Sequence, residues 1–351
     1  MQFAIDADHG NSIFFWLVPD NPDMEIRVFV GNPEIGYREI AANQHRQDLV
    51  DLGFHESGWA GFRIDESNFP EIAQLSELQI IDADSLVPIY ARNRGGRFPS
   101  SRLLIWDFWG YPHARDIAPV MARHALSYET VDALPSETVN AVLSSTLSTS
   151  VAAAGRLPWR RVRPMVESLN YTCYALIGDP CAYLARRLVD LQRPLRDAAQ
   201  GMSRSENLRK LAQDLDLGSD RGISAFLKGL MDEDRLALRS PMTRAFARGA
   251  GEDCRRQDIV YALQTLSHFD LVCTDKTKHL FSAYFAAPKA SVPTAEQISE
   301  AQPEQELIDR LRRLGPVDDY LNEDIALYEF ISEAIAKAQA KSEGQRNAQS
   351  A

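Results

Sequence analysis

Residues Tyr171 to Leu191 read YTCYALIGDPCAYLARRLVDL. Tyr171 to Ile177 is a short apolar run, Gly178-Asp179-Pro180 has turn chemistry, and Leu184, Leu188 and Leu191 then recur at helical spacing. Strand, tight turn, helix is the repeating unit of an open α/β sheet, where ligands sit beyond the carboxyl ends of the strands. The helix offers free backbone N–H groups and the positive end of its dipole, so an anion is expected at the Gly178 turn.

On the amino-terminal side of this unit, Leu103 to Phe108 reads as an apolar strand and Gly110-Tyr111-Pro112-His113 as a loop. A helix then runs from Ile117 to His124, beginning near Asp116. Ser136-Glu137-Thr138-Val139 opens another helix with Ser136 as its N-cap, and Pro158 to Leu169 forms a further one carrying Arg160, Arg161 and Arg163. On the carboxyl-terminal side, Ser203 to Ala250 is helical and charged, broken at Gly218 and at Ser240-Pro241. Gln257 to Phe269 is a helix, Leu271-Val272-Cys273 a short strand, Lys276 to Ala286 a helix and Ser291 to Pro303 a loop. Glu304 to Leu314 and Asp318 to Lys337 are amphipathic helices, and residues 342–351 are too polar to fold, which predicts a disordered tail. Alternating strands and helices followed by helices predict a parallel-sheet α/β domain over residues 96–341 with a C-terminal helical lid.

Residues 1–95 read differently. Ser12 to Val18 is an apolar run closed by Pro19-Asp20-Asn21-Pro22, and Met24 to Val30 alternates. Trp59 to Ile64, Leu78 to Ile81 and Val87 to Tyr90 follow with turn residues between them, and only His45 to Gly53 reads as a short helix, stopped by glycine. A small N-terminal β-sandwich is expected. Its aromatics Phe14, Phe15, Trp16, Trp59 and Phe62 are core by default, and a sugar-stacking platform is the alternative.

Composition narrows the function. A length of 351 residues suits two domains better than one core. No apolar run approaches the roughly 20 residues that span a bilayer, and Met1-Gln2-Phe3-Ala4-Ile5-Asp6 lacks the features of a signal peptide. A cytoplasmic location without membrane insertion is expected. The formal net charge of −11 argues against a nucleic-acid partner, which needs basic patches to displace counterions. Cys173, Cys181, Cys254 and Cys273 form no CxxC pair and have no histidine at metal-ligand spacing, so buried thiols are expected and no metal site.

Two resemblances extend this reading. Asp20-Asn21-Pro22, Arg46-Gln47-Asp48-Leu49-Val50-Asp51-Leu52-Gly53 and Gly61-Phe62 resemble the turn, the R-x-D-L-x-x-x-G helix and the G-F strand of accessory modules beside bacterial glycan-synthesising enzymes. Across residues 100–335 the order of elements is similar to the carbohydrate sulfotransferase family. Ile177-Gly178-Asp179-Pro180-Cys181-Ala182-Tyr183-Leu184-Ala185-Arg186 sits like its R-D/N-P-Y-x-R-x-x-S unit, and Ser240-Pro241-Met242-Thr243-Arg244-Ala245-Phe246 like N-x-x-T-R-x-L. His268-Phe269-Asp270-Leu271-Val272-Cys273-Thr274-Asp275 resembles F-D-x-V-G-x-x-E, and Asn322-Glu323-Asp324-Ile325-Ala326-Leu327-Tyr328-Glu329 resembles N-x-x-D-x-x-L-Y-E. The resemblance implies a P-loop-like fold that binds the sulfonate donor phosphoadenosine phosphosulfate (PAPS), the strand-turn-helix holding its ribose-linked phosphate.

The side chains that would touch this donor are replaced. The family's arginine before Asp-Pro is Gly178, its next basic residue is Tyr183, and its serine is Arg186. The phosphate loop corresponds to Trp109-Gly110-Tyr111-Pro112-His113-Ala114-Arg115-Asp116, which has no lysine and an acid at the helix start. The family's Gly-His is Gly155-Arg156, and a guanidinium cannot act as a base at neutral pH. The remaining candidates to hold an anion beside Gly178 and Asp179 are His113, Arg115, Arg156, Arg160, Arg186, Arg187 and Arg244, with His113 also a candidate base.

The leading expectation is a sulfotransferase-like protein of cell-surface polysaccharide biosynthesis that binds a glycan, a polysaccharide precursor or a glycan-synthesis enzyme without catalysis. An active transferase with a diverged PAPS site is the alternative, His113 deprotonating a sugar hydroxyl while arginines stabilise the leaving phosphate. A metal-dependent glycosyltransferase built on Asp82-Ala83-Asp84 comes third. An active site requires Arg156, Arg186 and His113 to converge on one cavity below the Gly178 turn, and Trp106, Trp109 or Tyr183 filling that space would close it.

Overall fold

The structure, a computed structural model, describes residues 1–20, 25–109, 114–192, 206–248, 252–278, 281 and 302–350. The chain divides into two compact units. One contains Met1–Leu103, Pro119–Ala153 and Met165–Tyr171, the other Leu104–Ala118, Ala154–Pro164 and Thr172–Ala351.

The first unit opens with two antiparallel sheets. Strands β1 (Gln2–Asp8), β2 (Ser12–Val18) and β5 (Gly61–Asp65) form one, in the order β1-β2-β5. Strands β3 (Arg27–Asn32), β4 (Gly36–Ala41), β6 (Glu77–Asp82) and β7 (Pro88–Asn93) form the other, in the order β4-β3-β6-β7. Period-two alternation sorts the side chains: Ile13, Phe15, Leu17, Phe62 and Ile64 are buried, whereas Arg63 is exposed. Phe15 and Phe62 stack with ring centroids 4.6 Å apart and planes within 2°. Buried Arg92 holds Asp8 in a two-pronged pair, Nε to Oδ2 and Nη2 to Oδ1, each at 2.7 Å. The short helix α1 (Gln47–Asp51) stops before Gly53, whose φ of +70° suits glycine. The sequence reading missed β1 and β4; β4 is exposed along most of its length, so no apolar alternation marks it.

The third sheet is parallel, built from β8 (Arg102–Asp107), β9 (Leu126–Tyr128), β10 (Val151–Gly155), β11 (Thr172–Ile177) and β12 (Leu271–Thr274). Its order is β12-β11-β8-β10-β9. All of β10 is buried, and β8 and β11 are nearly continuous apolar runs, as expected of parallel strands covered on both faces. The chain is therefore a mixed α/β protein.

Helices α2 (Ala114–Met121), α3 (Ser136–Ser144), α4 (Trp159–Ser168) and α5 (Pro180–Gln192) lie between the strands in sequence. They are followed by α6 (Glu206–Gln213), α7 (Asp220–Gly229), α8 (Asp232–Leu238), α9 (Pro241–Ala247) and α10 (Asp258–Leu266). The last two are α11 (Gln302–Leu311) and α12 (Gly315–Ser350). Leu184, Leu188 and Leu191, the stripe that marked α5 as amphipathic, join a helical core with Leu208, Ile223 and Leu321.

Three expectations need correction. Ser136 is the first helical residue of α3, not its cap; Pro135 precedes it, and no side chain caps that helix. Residues 342–350 continue α12 instead of standing unfolded, because a run of Lys, Glu, Gln, Arg and Ala favours helix even without apolar residues. The helix expected from Lys276 begins as a 3-10 turn over Asp275–Thr277, with most of the rest outside the described residues.

Candidate functional site

The centre of the parallel sheet is where sequence placed the chemistry. β11 ends at Ile177, and a Cβ on Gly178 would stand 2.6 Å from the Phe108 carbonyl oxygen, so only glycine permits the neighbouring chain this close. Pro180 opens α5 and has no N–H to offer. The next two donors, Cys181 N–H and Ala182 N–H, bond Asp179 Oδ1 at 2.8 and 3.1 Å. Tyr183 N–H closes onto the Asp179 carbonyl at 2.9 Å. Every donor of the first helical turn is thus taken within the chain. The anion at this helix start is the Asp179 carboxylate, whose second oxygen accepts from Arg312 Nη2 at 2.8 Å.

Aromatic rings fill the space around the strand ends. Trp109 is buried, its indole N–H donating to the Ile177 carbonyl at 3.3 Å. Buried Trp106 donates to the Leu157 carbonyl at 2.8 Å and packs against Phe269 at 4.8 Å and Trp159 at 5.6 Å. Tyr183 packs on Phe108, ring centroids 5.9 Å apart, and its Oη accepts from Arg156 Nη1 at 2.9 Å. The Arg156 guanidinium also lies 5.9 Å from the Tyr183 ring centroid.

The candidate residues lie on several elements. His113 lies outside the described residues, and Arg115 is on α2. Arg160 is exposed on α4, while Arg186 and Arg187 are half-buried on α5. Arg244, on α9, interacts electrostatically with Asp324, Cys254 and Tyr183, and burial lowers its basicity. Arg156 is thus committed to Tyr183, and Gly178 and Asp179 form the closed turn.

Sequence reasoning assigned no role to one fully buried carboxylate of the region. Asp324, fully buried, accepts Thr243 N–H on Oδ1 at 2.7 Å and Met242 N–H on Oδ2 at 3.1 Å, capping α9 from a helix far along the chain. Burial pushes its pKa up to about 6, against the pull of those two N–H groups. Ser240, which starts α9 with φ of +38°, donates from Oγ to Glu323 at 2.9 Å, and Tyr328 Oη donates to Asp275 at 2.6 Å. Three of the four stretches that carry the sulfotransferase resemblance thus contact one another: Asp324 and Glu323 hold the Ser240–Thr243 turn, and Tyr328 holds Asp275. The spacing between those stretches was the one available signal.

The other expected features resolve simply. All four cysteines are buried and in no disulfide, and burial pushes their thiols up to about 11 or 12, so they are neutral. Asp82 is buried at the end of β6, where Oδ2 accepts Ser85 N–H at 2.9 Å and caps a turn. Among the described residues no three His, Cys, Asp or Glu side chains are placed to hold a metal ion, and no helix is long and apolar enough to cross a membrane. Of the five β-region aromatics named as a possible platform, Phe15 and Phe62 are core, Phe14 and Trp16 are half-buried, and Trp59 is exposed. Set against family models, curated proteins and solved structures, the chain matches none of them.

Proposed function

We propose that this chain is a sulfotransferase-like α/β protein of bacterial cell-surface polysaccharide biosynthesis whose donor site has closed, and that it binds a glycan or a partner enzyme without transferring sulfonate. The observation that carries this is the Asp179 carboxylate. It consumes the backbone N–H groups at the start of α5, where the family resemblance implies a donor phosphate. An incoming phosphate would meet like charge and no free donor there. Support also comes from Arg156, which stands where the resemblance implies a general base and instead serves the buried Tyr183.

A thermal-shift titration with phosphoadenosine phosphate tests the proposal. A ligand bound only by the folded chain must raise its melting temperature, by RT ln(1 + [L]/Kd) in stability. The expected result is no shift at millimolar concentration. A saturable rise would overturn the closed donor site.

A further inference from the structure

The outer face of the three-stranded sheet carries aromatic rings that neither the core nor the closed strand ends use. Phe14 and Trp16 alternate outward on β2, opposite the inward Ile13, Phe15 and Leu17. Across the ladder Phe14 faces Arg63, and Trp16 faces Gly61, over which the stem of Arg46 lies. Phe54 stacks on Trp16 at 6.4 Å, and Trp59, just before β5, meets His45 edge-on at 5.6 Å. Trp59 is 55% and Phe54 43% exposed, an unusual cost for rings this large.

The charges around these rings are already spent. Arg46 gives two prongs to Asp48, at 2.7 and 2.9 Å, and a third to Asp6 at 2.5 Å. Arg63 lies 5.8 Å from the Phe14 ring centroid and pairs with Asp65 at 2.7 Å. Two guanidinium groups thus stand against three carboxylates, a face that repels anions and leaves neither guanidinium unneutralised. Flat rings interleaved with paired polar side chains suit a ligand that shows C–H on one side and hydroxyls at its rim. A neutral pyranose has that chemistry; a phosphate or sulfate does not, and a uronate adds a charge that this face repels.

We propose that this face binds a neutral oligosaccharide, with the Trp16–Phe54 pair and Trp59 stacking on sugar rings. The proposal deepens the glycan half of the function proposed above and rests on that half alone. It places recognition on the β region and not at the Gly178 turn, and it excludes sulfated or otherwise acidic glycans as the ligand.

The test is isothermal titration of the full chain with cellohexaose, xylohexaose, maltohexaose and a sulfated galactan, with tryptophan fluorescence followed alongside. At least one neutral hexamer should bind and shift the tryptophan emission, and the sulfated galactan should not bind. Trp59→Ala and Phe54→Ala should each weaken binding about tenfold or more, with circular dichroism and melting temperature unchanged. Binding by none of the neutral hexamers overturns the proposal, as does preference for the sulfated galactan or equal affinity in both variants. So does a concentration-dependent dimer, seen by sedimentation, that Trp59→Ala abolishes, since the occupant would then be a second copy. The donor titration separates the two claims: a donor-induced rise in melting temperature with glycan binding intact sinks only the closed donor site.

Discussion

Aromatic residues meet opposite fates in the two units. At the ends of β8 and β11, Trp106, Phe108, Trp109 and Tyr183 are buried, and the two indole N–H groups are satisfied by backbone carbonyls. On the outer face of the three-stranded sheet, Phe54 and Trp59 stand in solvent and Trp16 is half-covered. Residues of one chemical type thus close the place where a parallel sheet offers a ligand site and leave open a face that the sequence offered only as an alternative site. The difference is backbone supply: the buried rings sit beside carbonyls that can accept an indole proton in a dry interior, and the exposed ones keep their polar edges in water.

The contrast predicts its own largest effect. Trp106→Ala should cost about 3–5 kcal/mol, since it empties a fully buried site and strands the Leu157 carbonyl. Equilibrium urea unfolding reads this as a large fall in midpoint. A cost under about 1 kcal/mol would mean the strand ends are not packed shut and the site deserves to be called open.

Next in size is Asp324, whose effect is a slope with pH. Its folded pKa of about 6 lies above the ordinary 3.8, so between those values the folded chain holds a proton the unfolded chain has released. Stability from this group is therefore fully present below about 4, falls as pH rises to about 6 and is flat above, on the order of 2–3 kcal/mol in all. Asp8 works the other way: burial raises its pKa, but Arg92, Tyr90 and the Gly10 N–H outweigh that and hold it below 3.8. Its contribution is present above the ordinary value and lost as pH falls further. Urea midpoints from pH 4 to 7 should thus decline in the native chain and stay level in Asp324→Asn.

Asp179→Ala sharpens the comparison at the closed site. Losing the cap should cost about 1 kcal/mol, read by thermal unfolding, and it frees the Cys181 and Ala182 N–H groups. If the carboxylate alone blocks the donor, the variant should gain a melting-temperature rise with phosphoadenosine phosphate that the native chain lacks. With the buried rings and Arg156 also committed, we expect none.

How much of this was legible follows the range of the interaction. Gly178-Asp179-Pro180 announced a turn, a local signal; the Asp179 cap is equally local, at most three residues from the N–H groups it caps, but those groups were expected to be free for an anion. The Asp324 cap of α9 spans 82 residues to Met242, and nothing local to either end declares it. Strand β10 was missed for the same reason. Its Val151-Ala152-Ala153-Ala154-Gly155 has little β-preference of its own and becomes a strand by pairing in the sheet. The apolar runs of β8 and β11 needed no such help. The aromatics of β2 and β5 were divided between core and surface only by the pleat, which sets Phe15 and Phe62 inward and Phe14 and Trp16 outward.

The smallest effect is the one that most directly separates the two aromatic groups. Trp59 is more than half exposed, its one ring partner among the described residues is the exposed His45, and its backbone lies outside the β5 ladder. Replacing it with alanine removes little buried area and leaves no buried polar group unpaired, so stability should stay within about 0.5 kcal/mol of the native chain. A loss near that of Trp106→Ala would show that the ring supports the fold and would remove the reason to assign it to a ligand. The expected near-zero cost leaves an exposed indole, held in place at no benefit to folding, and that is the physical condition for a surface kept to bind something else.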